Sequence, residues 1–432
     1  LKKVLIITYY WPPAGGPGVQ RTLKFVKYLP EFGWEPFVLT VNKPDAPVYD
    51  NSLFADIPTD AKIFKTKSME PFTLYKKFTG KKLSDTIPND VLINKENTNL
   101  REKFARFLRA NFFIPDAKIG WIPFAVKKGE EIIKKEKIDL IFSSSPPPTV
   151  AIIGQKLAVK TGTKWVADFR DPWLEIVYYQ NLKRSNITKI IDSALEKRTL
   201  SKTNGIVTIS EKIANLFEKK VPGKNVFVIP NGYDETDFPK IKFKKNEKLT
   251  IAYTGTISKD RIPYPLFDAL VKFKNEGIKD LLLKFAGKFS PEFYNEIKTR
   301  DIVDYFELHG FVPHNKSTEI LLNSDVLLLV IDNVPENKGF LTGKMFEYLG
   351  CKKPIFAIGP TDGDANKILR ETDSGKMIDY KDSQSAYLLL KDYYLNWKNK
   401  VKVFRFNSGK YSRKEITKNL SKVFEKVLKT LN

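Results

Sequence analysis

Short runs of aliphatic and β-branched residues alternate with amphipathic stretches of helical period from one end of the chain to the other. That alternation is the pattern of parallel βαβ units. In the first half it predicts strands at Val4–Thr8, Pro36–Val41, Lys62–Lys65, Leu140–Ser143, Lys164–Asp168, Gly205–Ile209 and Val226–Ile229. Amphipathic helices fall between them at Gln20–Leu29, Val126–Lys135, Val150–Lys160 and Glu211–Lys219. The charged stretch Lys240–Lys248 has little periodicity and reads as a linker. The alternation then restarts with strands at Leu249–Thr254, Leu281–Ala286, Tyr305–His309, Val326–Ile331, Pro354–Ala357 and Lys376–Ile378.

Two doubly wound α/β domains in tandem fit this pattern better than one large sheet. The first spans 1–240 and the second 249–400, and no fixed-period repeat joins them. Two segments interrupt the pattern. Residues of about 68–120 form an insertion rich in Lys, Arg and Phe, in which Arg101–Phe113 reads as a basic amphipathic helix. The tail 411–432 is a second amphipathic helix, with Ile416, Leu420, Val423, Phe424, Val427 and Leu428 on one stripe.

Composition narrows the class. The 432 residues are 42% hydrophobic and 13% aromatic, which supports real cores and excludes a disordered chain. A single Cys cannot form an internal disulfide, and with two His it leaves no ordinary zinc ligand set. No apolar run approaches the roughly 18–20 residues of a membrane-spanning helix. The opening Leu1-Lys2-Lys3-Val4-Leu5-Ile6-Ile7 is too short for a signal peptide and reads as a buried first strand. The net charge of +23 has two readings, an acidic partner or a Lys-rich solvated surface.

Candidate chemistry belongs beyond the C-terminal ends of the strands, where open α/β sheets bind ligands. After the first strand stands Gly15-Gly16-Pro17-Gly18, where glycines admit an anion close to backbone amides and the following helix presents its positive end. A plain βα turn has the same composition. After Val326–Ile331 comes Gly339-Phe340-Leu341-Thr342-Gly343-Lys344, followed by Glu347. Thr342 is a plausible N-cap. A cation in the first turn opposes the helix dipole, so Lys344 makes sense beside a bound anion. Glu347 offers a carboxylate suited to a vicinal diol such as ribose. An exposed Lys/Glu pair is the plain alternative. Tyr253-Thr254-Gly255-Thr256 with Arg261 ends the second domain's first strand, and Arg261 suits bidentate grip of a phosphate. Asp168, Arg170 and Asp171 crowd another strand end, with an Arg170–Asp171 ion pair as the structural alternative.

Taken in order, these blocks resemble the retaining family-4 glycosyltransferases of the GT-B fold. The resemblance also rests on Ser143–Pro148, Val166–Trp173, Val228–Asp234 and His309-Gly310-Phe311-Val312-Pro313. It implies two Rossmann-like domains facing across a cleft, a donor domain at the C-terminal side, and a last helix returning to the first domain. It implies that Glu347 holds a ribose, that Arg261 and Lys344 hold a diphosphate, and that Gly15 and Gly16 cover the phosphates. The backbone around Phe311 and Val312 would read the base, and Gly339, Phe340 and Leu341 would belong to the donor site. Asp168, Asp171 and Arg170 would face the transferred sugar or the acceptor hydroxyl. The sequence departs from the family at Gly339, where a first acidic residue is expected, and at Thr256, where an Arg is expected.

The function implied is transfer of a sugar from a nucleotide-diphosphate donor to a glycan or lipid-linked acceptor with retention, in cell-surface polysaccharide synthesis. A retaining enzyme needs no strong base, since the departing phosphate takes the acceptor proton. No metal or other cofactor is expected. Asp362-Gly363-Asp364 matches a metal-binding DxD pattern but precedes a helix and reads as its cap. Cys351 reads as a small residue near a helix end. The alternatives are a nucleotide-sugar epimerase of the same fold, a scaffold without activity, and a basic nucleic-acid or anionic-surface binder, for which no motif is found. A cytoplasmic location follows from the reading, with the basic region Ser68–Phe113 docking on an anionic membrane surface.

Overall fold

The computed structural model describes residues 1–69, 111, 113–175, 184–238, 246–401 and 406–430. Most of the insertion, including the helix expected at Arg101–Phe113, and most of the linker at Lys240–Lys248 lie outside the described residues. The chain divides into two compact units. One is Leu1–Pro230 with Arg413–Asn432, and the other is Asn231–Ser412.

In the first unit a seven-stranded sheet is built from β1 (Lys2–Ile7), β2 (Trp34–Val41), β3 (Lys62–Thr66), β4 (Leu140–Ser145), β5 (Lys164–Phe169), β6 (Gly205–Thr208) and β7 (Val226–Val228). Its order is β3-β2-β1-β4-β5-β6-β7, and every pairing is parallel. Helices α1 (Pro17–Tyr28), α2 (Ile122–Glu136), α3 (Thr149–Thr161), α4 (Asn186–Lys202) and α5 (Glu211–Lys220) make the crossovers. Strands covered on both faces need near-continuous apolar runs, and β1 and β4 are buried along most of their length.

The second unit repeats the plan with β8 (Leu249–Thr254), β9 (Leu281–Ala286), β10 (Phe306–His309), β11 (Val326–Val330), β12 (Ile355–Ile358) and β13 (Gly375–Ile378). The order β10-β9-β8-β11-β12-β13 is again all parallel. Its helices are α6 (Tyr264–Asn275), α7 (Pro291–Thr299), α8 (His314–Leu322), α9 (Gly343–Cys351), α10 (Asp364–Thr372) and α11 (Ser383–Lys398).

The expected C-terminal helix is α12 (Arg413–Lys429), and it packs in the first unit. Ile416, Leu420, Val423, Phe424 and Val427 are buried on one stripe, and the Phe424 ring meets Trp34 at 5.1 Å and Phe142 at 5.3 Å. Lys164 Nζ donates to the carbonyls of Val427 and Leu428 at the helix C-terminus, where a cation complements the dipole.

Each sheet reverses its winding direction once, between β1 and β4 in the first unit and between β8 and β11 in the second. Such switch points leave a crevice beyond the strand C-termini, and they fix where ligand chemistry belongs.

Candidate active site

At the β8/β11 switch point, Gly255 follows β8 and Asp332 follows β11. Gly255 has φ +120°, a conformation that favours glycine, and a Cβ there would run into Lys344 Nζ. The bare backbone therefore lets the Lys344 side chain cross the strand end. Lys344 is the second residue of α9, whose N-cap is Thr342 as expected. The Thr342 hydroxyl makes no capping bond, and its buried Oγ1 has no partner among the described residues. The amides of Gly343 and Lys344 open the helix and have no intrahelical acceptor.

Lys344 Nζ donates to the Tyr253 hydroxyl at 2.7 Å and lies 4.2 Å from the centre of that ring. Its pKa is pulled down to about 7, first by burial and next by the Arg261 charge, against the pull of Glu347 and Asp332. Burial also pushes the Tyr253 phenol up to about 12, so it keeps its proton and donates to Thr256 O at 2.8 Å.

Arg261 is not held ready as an open fork. Its Nε and Nη2 donate to the two carboxylate oxygens of Asp332 at 2.7 and 2.6 Å, and Nη1 donates to Thr256 O at 3.1 Å. The bidentate phosphate grip expected from the sequence is thus occupied by a carboxylate. Lys344 is left as the main source of positive charge at the helix end. Glu347 lies one turn further along α9 and is half-buried.

Gly339 is buried in a short turn that precedes α9 in the chain, while Phe340 and Leu341 pack against the second unit's core. Asn337 of the same turn donates to Asp332 O at 2.7 Å and to the Tyr380 hydroxyl at 2.9 Å, which fixes the loop that carries Asp332. Phe311 is 81% exposed, and Val312 packs partly on the second unit's core. Gly363 rather than an aspartate caps α10, without a side-chain bond, and Asp364 contributes charge in the first turn. Asp362 pairs with Lys338. Burial pushes the Cys351 thiol far up, so it stays protonated and unreactive.

In the first unit the glycine turn is largely committed to structure. The Gly15 amide donates to Val48 O at 2.9 Å and is not open to an anion. Gly16 has φ +104° and caps α1. Asp168 departs from its expected role for a plain reason: it is fully buried and its acceptors are spent. Arg21 Nε and Nη2 donate to its two oxygens at 3.0 and 2.9 Å, and Ser144 Oγ adds a bond of 2.7 Å. The same guanidinium reaches Ile229 O at 2.8 Å and Pro230 O at 2.9 Å. Arg21 thus stitches α1 to β5 and to the segment after β7.

Arg170 and Asp171 follow β5, and the Arg170 side chain reaches Ser145 at the end of β4 and Gly18 at the start of α1. Arg170 donates to Ser145 O at 3.1 Å and to Pro146 O at 3.3 Å, rather than pairing with Asp171. Its Nη1 takes the space that a Cβ at Gly18 would fill. Asp171 makes no hydrogen bond or ion pair of its own among the described residues, and burial raises its pKa against the pull of Arg170. The Ser145 hydroxyl, at the end of β4 in register with Phe169 of β5, is buried without a partner among the described residues.

Residues 89–237 match the family model of Glycosyltransferase Family 4. No curated protein sequence matches the chain significantly. Among solved structures, sucrose-phosphate synthase from Thermosynechococcus elongatus is similar with a TM-score of 0.59 at 12% identity, covering 99% of each chain. The Anabaena protein HepE, determined with UDP and glucose, gives 0.56 at 13% identity over 99% of this chain and 100% of its own. A Listeria monocytogenes protein described as a UDP-N-acetylglucosamine 2-epimerase gives 0.55 at 11% identity, with 100% and 98% covered. These likenesses establish the fold: two Rossmann-like units of the GT-B type. The enzyme class, glycosyltransferase, rests on the family match over residues 89–237. The region that carries the assignment is the family-4 segment, which runs through β4 to β7 of the first unit.

Proposed function

We propose that the chain transfers a sugar from a nucleoside-diphosphate donor to a glycan or lipid-linked acceptor, with retention at the anomeric carbon. The observation that carries the reading is the N-terminus of α9. There two backbone amides, an orphaned Thr342 hydroxyl and the Lys344 ammonium converge at a sheet switch point. Amides, hydroxyl and ammonium are all donors, and the group that satisfies them together is a polyanion.

Breaking a sugar–diphosphate bond builds negative charge on the leaving phosphate. Each preorganised donor aimed at that charge is worth about 3–4 kcal/mol. Because the Arg261–Asp332 pair is neutral overall, Lys344 carries the stabilising charge, and it takes up a proton as the anion arrives. Glu347 receives the ribose hydroxyls, and Phe311 and Val312 meet the base. The leaving phosphate accepts the acceptor's proton, which removes the need for a strong base. Arg170 and Asp171, and not Asp168, are the first-unit groups proposed to meet the acceptor or the transferred sugar. No metal is required; turnover lost to a chelator and regained with manganese would overturn that part.

The epimerase reading shares the fold, and the family match over 89–237 favours transfer. A role in cell-surface polysaccharide synthesis at the inner face of the cytoplasmic membrane is part of this reading, and the net charge of +23 suits the anionic surface there. Among the described residues no helix is long and apolar enough to cross a membrane. A panel of nucleotide sugars scored by thermal stabilisation tests the donor. A ligand at 100 times its Kd raises stability by about 2.7 kcal/mol, and Glu347→Ala should abolish the response. A panel with no response from any nucleotide sugar would sink the donor reading.

A further inference from the structure

We propose that Tyr253 is the positioning residue of the donor site. Its hydroxyl holds the Lys344 ammonium above Gly255 and ties it, through one shared carbonyl, to Arg261. The inference rests on the donor reading of this site and extends it to a residue that touches neither phosphate nor sugar.

Three contacts define the role. Tyr253 is the penultimate residue of β8, is fully buried, and packs its ring against Phe285 at 5.5 Å. Its hydroxyl proton goes to Thr256 O at 2.8 Å, so the oxygen lone pairs turn to Lys344 Nζ at 2.7 Å. Thr256 O also accepts from Arg261 Nη1 at 3.1 Å, and Arg261 is in turn fixed by Asp332. One phenol therefore sets the distance between the two cations of the site. The bare Cα of Gly255 leaves the ammonium a seat there that any side chain would fill.

The arrangement answers a physical difficulty. A lysine at the start of a helix faces the positive end of the dipole, and here it also faces Arg261. Without an acceptor it would swing to solvent. The charged and titratable groups that face it are Tyr253 from β8, Arg261 from the turn after β8, Asp332 from the loop after β11 and Glu347 from α9 itself. Of these, Tyr253 supplies the hydrogen bond and the ring face, leaving the remaining N–H groups of the ammonium to an anion.

The test compares the wild-type chain with Tyr253→Phe, which keeps the ring and deletes the hydroxyl. In the absence of nucleotide, acetic anhydride labelling of Lys344 is followed against pH by mass spectrometry. The midpoint should lie near 7 in the wild type, and should fall by about one pH unit in the variant, because an acceptor favours the charged amine. Binding of UDP, used as the nucleotide probe, should weaken about tenfold in Tyr253→Phe. That loss should vanish when the same change is made in a Lys344→Met background, since the two residues act as a unit. An unchanged labelling midpoint would overturn the role of Tyr253 whether or not UDP binds. So would a UDP effect that persists at full size without Lys344. If UDP binds none of the proteins while the midpoint still moves, Tyr253 keeps its hold on Lys344 and the donor reading, probed with this nucleotide, is what fails.

Discussion

Each unit places a bidentate arginine–aspartate pair at the C-terminal edge of its parallel sheet, and the two pairs differ in burial. Arg21 and Asp168 are both 0% exposed, and every acceptor around them is satisfied. Arg261 and Asp332 keep 20% and 26% of their side-chain surface exposed. Sealed from water, the first pair cannot exchange partners, because any opening strands two charges in a low-dielectric interior. The second pair is within reach of solvent, so its members can respond to an arriving anion at modest cost. The lesson is that the same two residue types build a rivet in one unit and an adjustable part of the donor site in the other.

The comparison breaks first on stability. Asp168→Ala should lower the unfolding free energy of the chain by about 3–5 kcal/mol, because Arg21 is left buried and unpaired. Asp332→Ala should cost only about 0–1 kcal/mol. Urea unfolding of the two variants measures the contrast, and equal losses would erase the distinction drawn here. Next in size is the catalytic loss. Lys344→Ala should reduce kcat/KM about 100- to 1,000-fold, the usual cost of removing one donor to a developing charge, with the fold intact. Retained turnover in that variant would move the leaving-group site elsewhere.

A smaller effect is expected at Gly255. An alanine there meets both a positive φ and the Lys344 ammonium, so nucleotide affinity should fall about tenfold without global unfolding. Calorimetric titration with UDP measures it, and unaltered affinity would detach Lys344 from the site.

Last, the units should respond to pH with opposite signs. Burial lifts Glu196, on α4 and paired with Lys220, to about 7, so the native state binds more protons than the unfolded chain above about pH 4.3. Its contribution to stability is full at lower pH and is lost as pH rises through 7. Lys344 titrates near 7 when folded and near about 10.4 when unfolded, so its contribution rises with pH across that window. Glu196→Gln should flatten the acid-side slope and Lys344→Met the alkaline one. Slopes left unchanged in both variants would refute the assignment of these groups.

Most of the fold was legible in the chain because parallel strands must be apolar on both faces. Leu249–Thr254 and Leu281–Ala286 appear as strands with the boundaries their apolar runs predict. Lys344 was legible too, since a cation in a helix's first turn contradicts local electrostatics and demands an explanation. What the chain did not disclose is who pairs with whom. Arg21 and Asp168 are 147 residues apart, and Arg261 and Asp332 are 71 apart. Periodicity assigns a residue to a face but says nothing of the partner that topology brings to it. So Asp168 reads in the sequence as a group open to substrate and Arg261 as a free fork, and no local signal marks Asp332. Tyr253 was visible only as the flank of a glycine turn, because a buried tyrosine at a strand end is by default a core residue.

The most direct measurement is the number of protons exchanged when a nucleoside diphosphate binds. Calorimetric titration at pH 8 in two buffers of different ionisation enthalpy gives it. Lys344 is mostly neutral there before binding and charged beside the diphosphate afterwards, so uptake approaching one proton per site is expected, and none in Lys344→Met. Binding with no proton uptake, or with the same uptake in the variant, would contradict the assignment of Lys344 to the diphosphate.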